Sequence, residues 1–319
     1  MNNKKHLLIT GGAGFIGSNF IEYLLHNTSY LITNVDSLTY AGKLENMVQF
    51  KQHKNYRFIQ GDISSKLELS KVFDQEYEAI INFAAESHVD RSIGDAEPFI
   101  HTNIYGTFNL LQALLSGKAK KMIQISTDEV YGSLEPNAPS FTERTPLAPN
   151  NPYSASKASA DLLVRAYFQT HQLPLMITRC SNNYGPAQDK EKFIPKIISN
   201  ALNDNEIPLY GDGLNVRDWI YVEDHCRAVH KVLEEGVPGE VYNIGGLEEK
   251  TNLDVIKTIL HLLGKGEHLI KYVDDRIGHD RRYSMNSAKI SKNLGWSPNI
   301  SFEEGIKRTI DWYREQSIR

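Results

Sequence analysis

The sequence predicts an α/β protein, a Rossmann-type doubly wound parallel sheet with a smaller, interleaved C-terminal substrate-binding lobe. Three observations predict it. Short apolar runs of strand length alternate with stretches of helical periodicity, the pattern of βαβ units. A glycine-rich turn, Gly11-Gly12-Ala13-Gly14-Phe15-Ile16-Gly17, joins the first apolar run to the first helical stretch. Beyond residue 180 the alternation loosens into short elements punctuated by Pro186, Pro195, Pro208, Gly211, Gly213, Pro238 and Gly239. The expected division is a Rossmann domain at 1–180 and a lobe at 181–319, with some segments of the lobe returning to the first domain.

Taken in order, residues 7–10, 31–35, 79–83, 122–126 and 175–178 read as buried strands of a parallel sheet, because each is a nearly continuous apolar run. Residues 15–27, 98–116 and 152–171 read as helices, the last entered through Pro152, a residue suited to a first helical turn. With 319 residues, 40% of them hydrophobic, the chain can bury roughly 75% of its unfolded surface without staples. Its two cysteines, Cys180 and Cys226, are too few for a disulfide framework and lack zinc spacing, so no metal is expected and a cytoplasmic location is. No apolar run reaches the ~18 residues of a membrane span. The formal net charge of −4 gives no general attraction to nucleic acid. An anionic ligand must therefore meet local cations, such as the cluster Arg276, His279, Arg281 and Arg282.

The glycine turn matches both G-x-x-G-x-x-G and G-x-G-x-x-G, between a strand and a helix as a dinucleotide fingerprint requires. Small residues let backbone N–H groups approach a pyrophosphate at the helix N-terminus, where the helix dipole favours negative charge. Asp36 closes the second strand 19 residues after Gly17, placed to accept hydrogen bonds from an adenosine ribose. A carboxylate there selects NAD over NADP, whose extra phosphate it repels. Asp62 fits an adenine contact or a turn cap equally well.

Tyr153 and Lys157 are one turn apart on a helix face. An ammonium ~4 Å from a phenol at an effective dielectric of ~20 is worth about 4 kcal/mol, roughly three pKa units, so the spacing predicts a tyrosine that can act as a base. Thr127-Asp128-Glu129 follows a strand's carboxyl end, where doubly wound sheets place ligands. Two adjacent carboxyls can serve as acid and base across a C–C bond, or simply cap a turn.

Gly11 to Gly17 together with Thr127, Tyr153 and Lys157 resemble, over essentially the whole chain, the extended short-chain dehydrogenase/reductase family of nucleotide-sugar enzymes. The resemblance implies that Thr127 and Tyr153 hold a hexose C4 hydroxyl and that Lys157 binds the nicotinamide ribose of NAD. It implies further cofactor contacts from Gly11, Gly14, Phe15, Ile16, Gly17, Asp36, Ser37, Leu38, Thr39, Asp62, Ile63, Ala84, Ala85, Ser87, Thr102 and Asn183. His88, Asn182, Lys192, Phe193, Pro208, Tyr210, Arg217, Asn252, Arg276 and His279 fall where the family contacts substrate. A homodimer is implied, built on the helix of Tyr153 and the one near residues 98–116.

The run Thr127-Asp128-Glu129-Val130-Tyr131-Gly132 is similar to the dehydratase branch that acts on dTDP-glucose, as are residues 84–92, 182–186 and Arg217-Asp218-Trp219. That likeness implies Asp128 as acid to the C6 hydroxyl, Glu129 as base at C5 and Tyr153 as base at the C4 hydroxyl. The cycle would oxidise C4, eliminate water across C5–C6 and return hydride to C6, giving dTDP-4-dehydro-6-deoxy-glucose, a precursor of dTDP-rhamnose. Ile277 stands where the family has proline, and Ala187-Gln188-Asp189-Lys190 replaces a more aromatic stretch. A 4-epimerase, a dehydratase for another nucleotide sugar, or a non-catalytic NAD-binding scaffold remain the alternatives.

Overall fold

The computed structural model describes residues 4–275 and 278–318. Its main sheet has seven parallel strands in the order β10-β6-β5-β4-β1-β2-β3. They are β1 (His6–Thr10), β2 (Leu31–Asp36), β3 (Tyr56–Gln60), β4 (Ala79–Asn82), β5 (Met122–Thr127), β6 (Leu175–Cys180) and β10 (Val241–Ile244). Along β1, Leu7 and Ile9 enter one hydrophobic cluster and Leu8 another. Both sheet faces are therefore covered, which explains strands that read as apolar runs rather than alternating ones. Helices α1 (Phe15–Asn27), α8 (Val222–Glu235) and α10 (Ala288–Leu294) pack on the first face, and α2 (Lys66–Val72), α5 (Thr107–Leu115) and α6 (Pro152–His171) on the second.

Two differences from the sequence reading bear on the site. The helix expected at 98–116 is α4 (Glu97–Phe99), a π-helical stretch (Ile100–Gly106) and then α5. A π turn spaces its hydrogen bonds one residue wider, so 3.6-residue periodicity does not report it. Within it the Asn103 amide bonds the Glu86 N–H and carbonyl at 2.9 and 3.0 Å, fixing the loop after β4. The second is one of detail: the sequence reading left unnamed which segments beyond residue 181 return, and α8, β10 and α10 build the main sheet and its cover, β10 pairing with β6.

The other lobe gathers β7 (Asn182–Tyr184), α7 (Phe193–Leu202), β8 (Ile207–Tyr210), β9 (Val216–Tyr221), β11 (Glu249–Thr251), α9 (Asn252–Leu263), β12 (Ile270–Val273) and α11 (Phe302–Ile318). Its core is a separate cluster that includes Ile198, Trp219, Ile256 and Ile306. A short helix, α3 (Val89–Gly94), follows the Ala84–His88 loop between the lobes. Among the described residues, no helix is long and apolar enough to cross a membrane.

Candidate active site

At the carboxyl ends of the sheet strands lies a cavity of about 300 Å3, lined by the glycine turn, the ends of β2, β4 and β5, and Tyr153 and Lys157. Gly11 has φ +72°, and a Cβ there would meet the Ala84 nitrogen at 2.5 Å, so this turn accepts only glycine. Gly14 is different. A Cβ there would meet nothing of the protein closer than the Gly11 carbonyl at 3.3 Å, so packing does not explain its lack of a side chain. Room for a ligand does. Gly14 caps α1, whose first-turn N–H groups have no intrahelical acceptors and face this cavity at Phe15, Ile16 and Gly17.

Asp36 accepts the Ala13 and Leu38 backbone N–H groups at 2.9 and 2.8 Å, which pins the glycine turn to β2. Burial raises its carboxyl and those two hydrogen bonds partly offset it. Its lone pairs not used by Ala13 and Leu38 can still serve a ribose. Asp62 caps its own loop through Ser64 N–H at 2.7 Å and also lines the cavity. Ser37, Thr39, Ile63, Ala84, Ala85, Ser87, Thr102 and Asn183 line the cavity as well. Leu38 does not; it packs against the hydrophobic cluster beneath.

The chemical groups converge from two elements. β5 ends at Thr127, whose hydroxyl accepts the Glu129 N–H at 3.3 Å and donates to Asp128 Oδ1 at 3.1 Å, closing a tight turn over Asp128–Tyr131. Helix α6 opens with a capping box in which the Asn151 side chain accepts the Ser154 N–H at 2.9 Å, with Pro152 next. That cap delivers Tyr153 to the neighbourhood of Thr127 and sets Lys157 one turn deeper, all three lining the cavity.

Asp128 is 2% exposed, and its Oδ2 has no hydrogen-bond partner. Burial first, then the charges of Glu129 and Asp218, push its carboxyl well above the ordinary carboxylate range. Asp218, on β9, is itself raised to about 6, by burial first. Glu129 is also raised by burial, but Arg217 and Lys192, with a smaller contribution from the nearby Asn151 amide, pull it back. Both carboxyls are therefore raised, Asp128 well above the ordinary range, while Arg217 and Lys192 hold Glu129 back, so Asp128 is the better placed to serve as the acid and Glu129 as the base.

The tyrosine–lysine expectation needs correction. Lys157 donates to the Ile125 carbonyl at 2.6 Å rather than to the phenol. Burial, followed by Glu129, Cys180 and Asp128, holds the Tyr153 phenol well above its usual value, and the Thr127 side chain only moderates this. One-turn spacing puts two side chains on one face, but the lysine reaches across to a strand carbonyl.

A second cavity, of about 340 Å3, adjoins the first and shares Glu129, Asn182, Asn183 and Lys192 with it. It brings together His88, Phe193, Tyr210, Arg217, Asn252 and His279. Pro208 lines a further hollow with His88, Phe193 and Tyr210. Lys192 donates to the Ser87 carbonyl at 2.9 Å, and Arg217 to the Asp280 carbonyl at 2.9 Å while stacking on Tyr283 with 4.3 Å to the ring centre. Arg276 lies outside the described residues.

The chain matches the family model described as GDP-mannose 4,6 dehydratase over residues 8–309. A dTDP-glucose 4,6-dehydratase of Neisseria gonorrhoeae is 49% identical over 99% of this chain and 97% of that one. The chain belongs to this family of nucleotide-sugar 4,6-dehydratases. Another relative, the low-salt glycan biosynthesis protein Agl12 of Haloferax volcanii, is 53% identical over 96% of this chain and 98% of its own. Among solved structures, the dTDP-glucose 4,6-dehydratase of Bacillus anthracis in complex with NAD superimposes with a TM-score of 0.92 at 49% identity, covering 98% of each chain.

Against that 4,6-dehydratase background, some site residues went unread in the sequence. Asn151 looks like a helix cap alone, yet its side chain also helps hold the Glu129 carboxyl down. Asp218 sits in a recognised triplet but shows its influence on Asp128 only once β9 is placed beside β5. Asp280 and Tyr283 carry no local signal; they matter because they clamp Arg217 from a distant loop.

Proposed function

We propose that this chain carries out the NAD-assisted 4,6-dehydration of dTDP-glucose to dTDP-4-dehydro-6-deoxy-glucose. Asp128 carries the reading: a buried carboxyl held in its acid form beside a second carboxyl, in a cavity that fits a dinucleotide. A simple nicotinamide oxidoreductase has no use for such an acid.

NAD, when bound, supplies a two-electron acceptor restored at the end of each turnover, together with a positive ring charge. Tyr153 removes the proton of the C4 hydroxyl while Thr127 holds its oxygen. Because burial raises the phenol, Tyr153 depends on a nearby positive charge in the assembled complex to act as a base. Once C4 is a ketone the C5 proton is acidic, and Glu129 takes it. Asp128 gives its proton to the C6 hydroxyl, which departs as water; Glu129 then returns its proton to C5 as C6 is reduced. Lys157 orients the nicotinamide ribose. Arg217 and Lys192 hold the diphosphate, and Phe193, Pro208 and Tyr210 enclose the base.

Incubation with dTDP-glucose should generate the alkali-induced ultraviolet absorbance of a 4-keto-6-deoxy sugar. Inversion at C4 without that signal would mean a 4-epimerase, and NAD uptake with no change in the sugar a scaffold. The exposed apolar residues Ile100, Tyr105, Leu115 and Leu162, on the π stretch, α5 and α6, support the expected homodimer. Light scattering should give twice the 36.2 kDa of one chain; a monomeric mass would remove the dimer.

A further inference from the structure

The loop between β7 and α7 of the substrate lobe reaches back to the first domain and is fastened at several points. The Pro186 carbonyl accepts the Asn19 amide of α1 at 3.0 Å. Asp189 Oδ2 meets Lys43 Nζ at 2.7 Å. Glu191 takes both its oxygens to Arg91 of α3, at 3.0 and 3.1 Å. Lys43 belongs to the loop after β2, the strand that ends in Asp36, and its own N–H donates to the Ala13 carbonyl of the glycine turn at 3.0 Å. Lys43 and Asp189 both line the cavity that holds Gly14 and Asp36.

An ion pair joining residues 146 apart across two loops of one cavity does more than cap a turn. It ties the adenosine side of the cavity wall to the segment leading into the substrate lobe. Resting on the NAD reading above, the chemistry gives this tie a use. A cofactor that ends each turnover in the state in which it began has no reason to leave, and its loss midway would strand an oxidised sugar.

We propose that the Lys43–Asp189 ion pair is a retaining contact that closes the cavity wall over NAD and slows its release. The Asp189 side chain is 17% exposed and that of Lys43 42%. Burial alone would raise the Asp189 carboxyl, but the Lys43 hydrogen bond and the Glu191 N–H more than offset it, leaving it lowered, so Asp189 is a carboxylate through the neutral range. Partial exposure makes the contact sensitive to salt.

The test follows release of NADH from the full-length protein, as loss of bound-nucleotide fluorescence after a chase with excess NAD. Lys43→Glu and Asp189→Lys should each release NADH roughly five- to tenfold faster than the parent, since they replace a partly buried attraction by repulsion. The double variant, with the charges exchanged, should return most of the way to the parent rate. Raising salt should speed release from the parent and not from Lys43→Ala. Single variants that take up NADH and release it at the parent rate overturn the proposal, as does a double variant no slower than its singles. A parent protein that takes up no NADH overturns instead the cofactor reading on which the proposal stands.

Discussion

Glu129→Gln is expected to separate oxidation from elimination. The variant should take up NAD and, on mixing with dTDP-glucose, give the absorbance of reduced nicotinamide, because C4 oxidation uses Tyr153 and Thr127 and leaves C5 untouched. The signal should then persist, since without a base the C5 proton stays in place, C6 keeps its hydroxyl and nothing is present to take the hydride back. Turnover should fall by about 10²- to 10⁴-fold, the usual contribution of a positioned base. The substitution keeps the size of the side chain and an acceptor oxygen at the junction of the two cavities. It also removes the charge that Arg217 and Lys192 compensate, so both cations become freer for the diphosphate and KM should not rise. Stopped-flow absorbance and product assay in the same samples check both halves. Full dehydration by the variant would take the base role from Glu129, and failure of both steps alike would make it a binding residue.

Five of the seven sheet strands were legible in the sequence because they are buried on both faces and written almost without polar interruption; β3, at the sheet edge with Arg57 and Gln60 exposed, was not. Leu8 and Ile9 point to opposite clusters, yet both must be apolar. Helices with strong punctuation were equally clear: α6 begins at Pro152 behind an Asn cap and runs to His171 as expected. The last strand was harder. β10 is four residues long, comes after a lobe of short elements, and joins β6 only because α8 carries the chain back across the sheet. Return of that kind is a non-local event, and residues 241–244 hold nothing that announces it.

The site divides along the same line. The glycine turn, Asp36 and Thr127–Glu129 are local features, fixed by a strand end and the turn that follows, and the cavity gathers them. What sequence spacing misjudged was direction. Tyr153 and Lys157 do share a helix face, but the Lys157 ammonium donates to the Ile125 carbonyl, and the phenol is governed by burial first and then by the carboxyls of the turn after β5. What sequence could not contain was company. Asp218 and Arg217 are adjacent on β9; Asp218 raises Asp128, while Arg217 lowers both carboxyls and is the foremost group holding Glu129 back, so a single strand of the substrate lobe helps set how far each is raised.

That arrangement makes Asp128 costly to the fold, and Asp128→Asn should expose the cost. In the unfolded chain the carboxyl ionises near pH 3.9, whereas burial, Glu129 and Asp218 keep it protonated in the native state well above that. Between those two values the native state binds the extra proton, so this group's contribution to stability falls as pH rises. An isosteric amide titrates nowhere and escapes the penalty. The variant should therefore melt at or above the parent temperature, with the difference near zero at pH 4 and widening towards pH 8. Activity should move the opposite way, because the amide cannot deliver a proton to the C6 hydroxyl, and dehydration should drop by about 10²- to 10⁴-fold. For the parent, dehydration should fail on the alkaline side as Asp128 loses its proton and on the acid side as Glu129 gains one. Melting curves from pH 4 to 8 alongside product formation check both. A variant that is less stable throughout would mean that Asp128 is held as a structural acceptor, and a variant with full turnover would mean that water leaves without its proton.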